Sequence, residues 1–281
     1  MPELPEVETD LRRLKPRLLG RRIERVEFRR ASRLLRNNIV SGRALAQHVQ
    51  GTRIKEIYRR GKYLIIKLDC GHALALHRGM TGILKVLSAG EVPRGWKERH
   101  LHARFHFRDI DLIFYDPRTF GRIVFLPQGD FCHLKGLASI GAEPLESHFT
   151  ASYLHDKISS RRGKIKAVLL NQQVVAGIGN IYADESLFRA GIHPERPAHS
   201  LTGPEVKRLR QAIRQVLREA IRKNGTSIGD EVVAEGRYQP LVYDRAGEAC
   251  KNCGQTIEST RARIAGRTTS FCPHCQPRRR K

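Results

Sequence analysis

Apolar residues change their spacing twice along this chain. Val7, Leu11, Leu14 and Leu18 recur at three- and four-residue intervals, the stripe of an amphipathic helix. Pro5 suits its first position and Gly20 its cap. From residue 22 to 126 the pattern shortens into runs that often alternate. Arg53–Tyr58, Tyr63–Leu68, Ala73–His77, Ile83–Leu87, His102–Phe107, Leu112–Tyr115 and Arg122–Phe125 read as strands, punctuated by Asp-Cys-Gly and Ser-Ala-Gly. Short strands with frequent turns predict a sandwich or barrel. From about residue 130 the spacing becomes helical again. Gly163–Asn171 and Ile181–Ala190 are predicted helices joined by Val-Val-Ala-Gly-Ile-Gly-Asn. Thr202–Asn224 is the longest, opening on a Thr202/Glu205 capping box and ending at Gly225. Residues 226–249 read as a loop and connector.

Charge changes the picture from a fold to a partner. The 281 residues carry 52 Lys and Arg against 28 Asp and Glu, a formal charge of +24. Such an imbalance implies a polyanion, and nucleic acid is the economical choice. No apolar run approaches the roughly 18–20 residues of a spanning helix, and no signal peptide pattern opens the chain. The expectation is a cytoplasmic, nucleoid-associated protein with no membrane partner.

Six cysteines are present. Cys250-Lys-Asn-Cys253 and Cys272-Pro-His-Cys275 form paired CxxC knuckles suited to one tetrahedral, structural Zn²⁺. Four thiolates leave no open position for water. His274 lies between ligands as a competing donor with less favourable spacing. Between the knuckles, Arg261, Arg263 and Arg267 offer cations to phosphate. Cys70 and Cys132 read as ordinary small apolar residues.

Two further stretches carry chemistry. Glycines around 177–179 permit a tight turn with backbone N–H groups exposed at a helix start, a site for phosphate oxygens. Asn180 would cap that helix or donate its amide to a phosphate. At the other end, Met-Pro-Glu-Leu-Pro-Glu places Pro2 behind a removable methionine. Its liberated amine would titrate near pH ~8 and act as a nucleophile. Glu3 and Glu6 put carboxylates beside it for proton transfer.

PELPEVET, RRGKY around Lys62, HRGMTG around Met80, DPRTFG around Arg118, VVAGIGNIYADESLF around Asn180 and the terminal CxxC…CxxC occur in that order. Together they resemble the bacterial formamidopyrimidine-DNA glycosylases over nearly the whole chain. The resemblance implies an α+β, two-domain fold. Residues 1–128 would form a catalytic helix and β-sandwich. Residues 129–240 would form a helix–two-turn–helix domain with a lesion lid near 226–240, and residues 241–281 a four-cysteine zinc finger.

It also implies a monomeric, bifunctional DNA glycosylase and apurinic/apyrimidinic (AP) lyase acting on damaged double-stranded DNA. Its substrates would be 8-oxoguanine and formamidopyrimidines. Pro2 would be the nucleophile, Glu3 its proton-donating partner and Glu6 a supporting carboxylate. Lys62 would assist β-elimination, and Arg267 δ-elimination and phosphate binding. Met80, Arg118 and Phe120 would fill the void left by the flipped nucleotide. His77, His100, Arg161, Asn180 and Tyr243 would contact phosphates. Beyond zinc, no cofactor is expected.

The chain departs from the family pattern twice. Between Gly225 and Tyr243 it is several residues shorter than the usual lid, which weakens the expectation of 8-oxoguanine preference over ring-opened purines. Arg78 stands where the family often has an apolar residue. Two alternatives compete. An endonuclease VIII-like enzyme would act on oxidised pyrimidines or hydantoins, but Leu4 argues against that branch, which usually begins PEGPE. A non-enzymatic DNA-binding relative would have no need of Pro2, Glu3 and Lys62 together.

Overall fold

A computed structural model describes residues 1–29, 32–36, 38–132, 134–227 and 236–278. Helix α1 (Leu4–Leu18) opens the chain, with Gly20 just beyond it at φ 78°. The chain divides into two compact units, Met1–Pro2 with Val7–Ala138, and Glu3–Glu6 with Ser139–Lys281.

In the first unit, β1 (Arg25–Phe28) and α2 (Gly42–Val49) precede seven further strands. These are β2 (Ile54–Arg60), β3 (Tyr63–Leu68), β4 (Ala73–His77), β5 (Ile83–Ser88), β6 (Leu101–His106), β7 (Ile110–Tyr115) and β8 (Arg122–Leu126). They form two antiparallel four-stranded sheets ordered β1-β6-β7-β5 and β2-β3-β4-β8. Side chains from both sheets, among them Ile57, Leu64, Leu76, Phe105, Leu112 and Phe114, share one buried core with Val7, Leu14 and Leu18 of α1. This is the expected sandwich with its helix, because alternating strands must bury one face against another layer. The periodicity missed β1 and α2. Helix α2 is a short helix inside a strand-rich region, begun by Ser41 accepting the Ala44 N–H.

Topology places two loops side by side. The turn from β4 to β5 leaves one sheet for the other, and the loop from β7 to β8 returns. Because His77 pairs with Arg122 and Ile83 with Tyr115, these crossovers run next to each other. A Cβ on Gly79 would lie 2.4 Å from the Phe120 carbonyl carbon, so the contact requires glycine.

The second unit is helical. After α3 (Lys135–Ala138), which closes the first unit, come α4 (Ala151–Ile158), α5 (Ile165–Leu170), α6 (Asn180–Ala190) and α7 (Gly203–Arg222). Leu4 joins their core, with Phe149, Leu169, Tyr182, Leu209, Ile213 and Leu217. The Glu205 carboxylate accepts the Thr202 N–H at 2.9 Å as the capping box requires, and Arg196 grips it at 2.6 and 3.1 Å. Arg196, with help from Thr202, holds the Glu205 pKa down to about 2. A short hairpin, β9 (Glu258–Ser259) with β10 (Ser270–Phe271), lies within the cysteine module. Among the described residues, no helix is long and apolar enough to cross a membrane. The part of the proposed lid at 228–235 lies outside the described residues.

Candidate active site and nucleic-acid interface

Pro2 is buried, and Glu3 behind it is only 2% exposed. A buried carboxylate needs donors. Glu3 finds them at the start of α6: Gly179 N–H at 2.7 Å, Ile181 N–H at 3.0 Å and Tyr182 N–H at 3.4 Å. These are the orphan donors of a helix N-terminus, and the positive end of the helix adds to their effect. The same N–H groups were expected to face phosphate. That expectation is corrected, because a side chain of the protein already fills the position. Nor does Asn180 cap the helix. Gly179 is the N-cap residue and Asn180 the first helical one.

Glu6 completes the arrangement. Its Oε2 accepts the Glu3 N–H at 2.8 Å, and its Oε1 accepts the Tyr182 hydroxyl at 2.5 Å and the Thr226 N–H at 2.9 Å. Burial beside Glu6 pushes the Tyr182 hydroxyl well above its ordinary pKa, so it remains a donor. Leu4 N–H donates to the Gly177 carbonyl at 3.0 Å. The segment after Pro2 is therefore pinned residue by residue.

Two glycines permit this approach. Gly177 (φ 80°) faces Leu4, and Gly225 (φ 82°) faces Glu6, where a Cβ would lie 2.4 Å from Oε1. Gly225→Ala is expected to cost about 2–4 kcal/mol, from left-handed strain plus overpacking. Gly20→Ala shares the positive φ (78°) but meets nothing within 4 Å, so it should cost only about 1–2 kcal/mol. Urea denaturation of the two variants checks the difference, and equal losses would refute the steric argument.

Lys62 is 8% exposed, in the two-residue turn between β2 and β3, next to Gly61 at φ 56°. Nearby, the Tyr63 and His77 rings lie 4.8 Å apart. Burial, with Lys62 and Arg122 adding repulsion, lowers the His77 pKa to about 4. Its Nδ1 faces the Gly79 N–H at 3.1 Å. A neutral imidazole accepting at Nδ1 carries its proton on Nε2, where it can donate to an anion.

Met80 and Phe120 are 38% and 44% exposed at the tips of the two crossovers, not in the core. The Arg118 guanidinium lies 5.1 Å from the centre of the Phe120 ring. Sequence reasoning missed the residue that binds these loops together. Asp116, fully buried, accepts the Thr81 hydroxyl at 2.6 Å, the Arg118 N–H at 3.2 Å and the Gly121 N–H at 2.8 Å. Its backbone carbonyl meets His102 Nε2 at 3.1 Å, and His102 Nδ1 meets Ser32 at 3.0 Å. Asp116 opens the DPRTFG stretch, yet its role as the tie between these loops rests on Thr81 and Gly121, which it meets only in the fold. His100 lies just before β6; its carbonyl accepts the Asp116 N–H at 2.8 Å and its Nε2 accepts from Arg99 at 3.2 Å.

In the second unit, burial raises the Tyr243 hydroxyl pKa and the Asn180 side chain opposes that rise, so these two expected phosphate contacts lie near each other. The Asn180 Oδ1 is buried with no hydrogen-bond partner, leaving acceptor capacity there. Arg161 follows α4 and donates from Nε to the Lys157 carbonyl at 2.8 Å. Arg267 is exposed beyond a left-handed turn at Ala265 and Gly266.

The Arg267 hairpin is anchored by a pair that sequence reasoning also missed. Lys166 is fully buried, 2.7 Å from Asp184 and 2.8 Å from both the Thr268 carbonyl and the Thr269 hydroxyl. Burial pushes Asp184 up to about 7, with Lys166 opposing it. Next in sequence, Glu185 accepts the N–H groups of Leu241, Val242 and Tyr243 and the Tyr238 hydroxyl at 2.9–3.0 Å. Two adjacent acids inside a helix whose neighbours are all apolar or small were the available signal.

The four sulfurs of Cys250, Cys253, Cys272 and Cys275 lie within 4.8 Å of one another. Zn–S bonds of about 2.3 Å call for sulfurs close to ~4 Å apart, so the donor set fits one tetrahedral zinc. Asn252 and Cys275 N–H groups point at ligand sulfurs at 3.4 and 3.5 Å, as expected around thiolates. His274 is exposed and outside the cluster. Cys70 and Cys132, read as ordinary small apolar residues, are also exposed.

Comparison with known proteins agrees with this geometry. The formamidopyrimidine-DNA glycosylase N-terminal domain matches residues 1–123, and the H2TH domain of the same enzymes matches 140–232. A zinc finger found in FPG and IleRS matches 247–278. A formamidopyrimidine-DNA glycosylase of Desulfitobacterium hafniense is 43% identical over 284 residues, covering 98% of this chain and 100% of that protein. The crystal structure of the MutM (Fpg) protein from Thermus thermophilus is 39% identical, with a TM-score of 0.84 and 98% of both chains covered. Lactococcus lactis Fpg, crystallised with DNA containing Fapy-dG, is 35% identical, with a TM-score of 0.86 over 98% of this chain and 100% of that one. By sequence, by domain order and by fold, this chain belongs to the formamidopyrimidine-DNA glycosylase family.

Proposed function

We propose that this protein is a monomeric, bifunctional DNA glycosylase and AP lyase that removes oxidised purines from double-stranded DNA in the cytoplasm, at the nucleoid. The observation that carries this reading is the fixing of Glu3 by three N–H groups at the start of α6, one residue after Pro2. An amine so placed is pre-oriented, and positioning of this kind is a large part of catalytic advantage.

Removal of Met1 leaves the secondary amine of Pro2. Its nitrogen bonds to C1′ of the flipped nucleotide, and the base departs with the glycosidic electron pair and takes up a proton. Glu3 protonates the sugar ring oxygen as the C1′–O4′ bond breaks, leaving a cationic iminium. That charge acidifies the C2′ hydrogen. With Lys62 assisting, loss of this proton expels the 3′ phosphate, and a second elimination, aided by Arg267, expels the 5′ phosphate. Water then frees Pro2. Glu6 supports the segment throughout.

Met80, Arg118 and Phe120 fill the vacated stack, and their exposure at adjacent loop tips supports that role. His77, His100, Arg161, Asn180 and Tyr243 hold phosphates. Zinc keeps the finger folded and takes no part in bond making. Relatives have been crystallised with Fapy-dG, carbocyclic 8-oxo-G and abasic-site DNA, which supports the substrate class.

The test is borohydride trapping on matched duplexes. Covalent capture with formamidopyrimidine and 8-oxoguanine duplexes is expected, and much less with thymine glycol. Preference for thymine glycol would replace this reading with the oxidised-pyrimidine one, and no capture on any lesion would reject the lyase chemistry.

A further inference from the structure

We propose that Arg78 is a positioning residue that sets the Met80 turn as a rigid wedge; the inference rests on the void-filling role proposed above for Met80. The turn is clamped from both ends by the same pair of residues. Gly82 N–H donates to the Arg78 carbonyl at 2.9 Å, and Arg78 Nε donates back to the Gly82 carbonyl at 2.5 Å. Neither glycine bounding Met80 tolerates a side chain: a Cβ at Gly82 would meet the Arg78 carbonyl oxygen at 2.3 Å, and Gly79 is at φ 66°.

The free end of the guanidinium reaches out of the turn. Arg78 Nη1 lies 3.1 Å from Asp10 Oδ2 on α1, and the two side chains are 13% and 10% exposed. An apolar residue at position 78 could fill this space and keep the backbone bond, but it could neither return a side-chain bond to the Gly82 carbonyl nor bind α1. The planar guanidinium does both, which one ammonium point charge does less well.

A wedge works only if it resists being pushed aside. Met80 is exposed, and unstacking a duplex pushes back on whatever enters it. Asp116 holds the far side of the turn through Thr81, and Arg78 holds the near side through Asp10. With the near side released, Met80 should enter the stack more slowly, and damaged nucleotides should leave it more slowly.

The experiment compares wild type, Arg78→Leu, Arg78→Lys, Asp10→Asn and the Arg78→Leu/Asp10→Asn double variant. One arm follows single-turnover excision from a lesion duplex, with 2-aminopurine beside the lesion reporting extrusion. The other follows cleavage of single-stranded abasic DNA, which has no stack to refill. Arg78→Leu should slow extrusion and duplex excision about tenfold, with single-strand cleavage within about twofold of wild type. Arg78→Lys should fall between. Asp10→Asn should slow the duplex reaction too, and the double variant should be no slower than Arg78→Leu, because the pair acts as a unit.

Unchanged duplex excision in Arg78→Leu, an equal fall on both substrates, or additive losses in the double variant would overturn the proposal. If Arg78→Leu does not fold, Arg78→Lys and Asp10→Asn decide by the same comparison, unchanged or equal losses again overturning it. Wild-type protein inert on both substrates would instead sink the glycosylase reading itself.

Discussion

Replacing Pro2 by glycine is expected to lower lesion excision and borohydride trapping by about 100-fold or more. Glycine still offers an amine after Met1 is removed, so the loss measures what proline adds. The pyrrolidine ring ties the nitrogen to its own side chain and so narrows the approach of the nitrogen lone pair. A secondary amine also yields an iminium that stays cationic, because its nitrogen has no proton left to lose. The primary amine yields an imine that can shed its charge and with it the pull on the C2′ hydrogen. The surrounding geometry should survive, since Glu3, Leu4 and Glu6 make their bonds without the proline ring. Melting curves should therefore overlay. Trapping at wild-type levels in the variant would remove Pro2 as the nucleophile. So would full activity in protein that retains Met1 by intact mass.

Removing zinc should weaken DNA binding by about 100-fold while leaving the sandwich folded. The cysteine module has little apolar core of its own. Its own buried cluster is Phe188, Val242, Cys250, Ile257 and Cys272, and two of those five are ligands. Small modules of this kind are commonly unfolded without metal, because the metal's binding energy is their folding energy. Loss of the finger releases the Arg267 hairpin from Lys166 and the Tyr243 segment from Glu185. Two of the proposed phosphate contacts go with it. The first unit has a separate core of strands β1 to β8 with α1, untouched by the metal. The measurement is affinity for an abasic-analogue duplex, alongside circular dichroism, in protein verified zinc-free by elemental analysis and again after zinc is restored. Unchanged affinity in zinc-free protein would remove the finger from the DNA interface.

Much of this site could be read along the chain because its chemistry is local. Pro2, Glu3 and Glu6 lie within five residues, and each pair of zinc ligands within four. Short apolar runs bounded by turn residues gave β2 to β8 nearly residue for residue, although β4, β7 and β8 are buried on both faces rather than alternating. Helix α7 was legible from its stripe and capping box. What stayed hidden depends on partners far away in sequence. Asp116 looks like any turn aspartate until Thr81 arrives. Lys166 and Asp184 look like surface charges until the finger folds over them. The α6 N-terminus looked like a phosphate site because its donors are unsatisfied along the chain, and a carboxylate from position 3 satisfies them.

The residues alone determined the chemical inventory of this protein: an N-terminal imino acid flanked by carboxylates, a four-thiolate metal site, a strongly cationic chain and alternating strands. Those are properties of composition and spacing, and spacing dictates helix, strand and knuckle. Only the tertiary structure decided which groups remain available. Folding placed Glu3 on the α6 donors, hid Lys166, exposed Met80 and Phe120 at neighbouring crossovers and gave Arg78 its partner in Asp10. The reason is that availability depends on what else is buried nearby, and a buried polar group takes whatever partner the fold delivers.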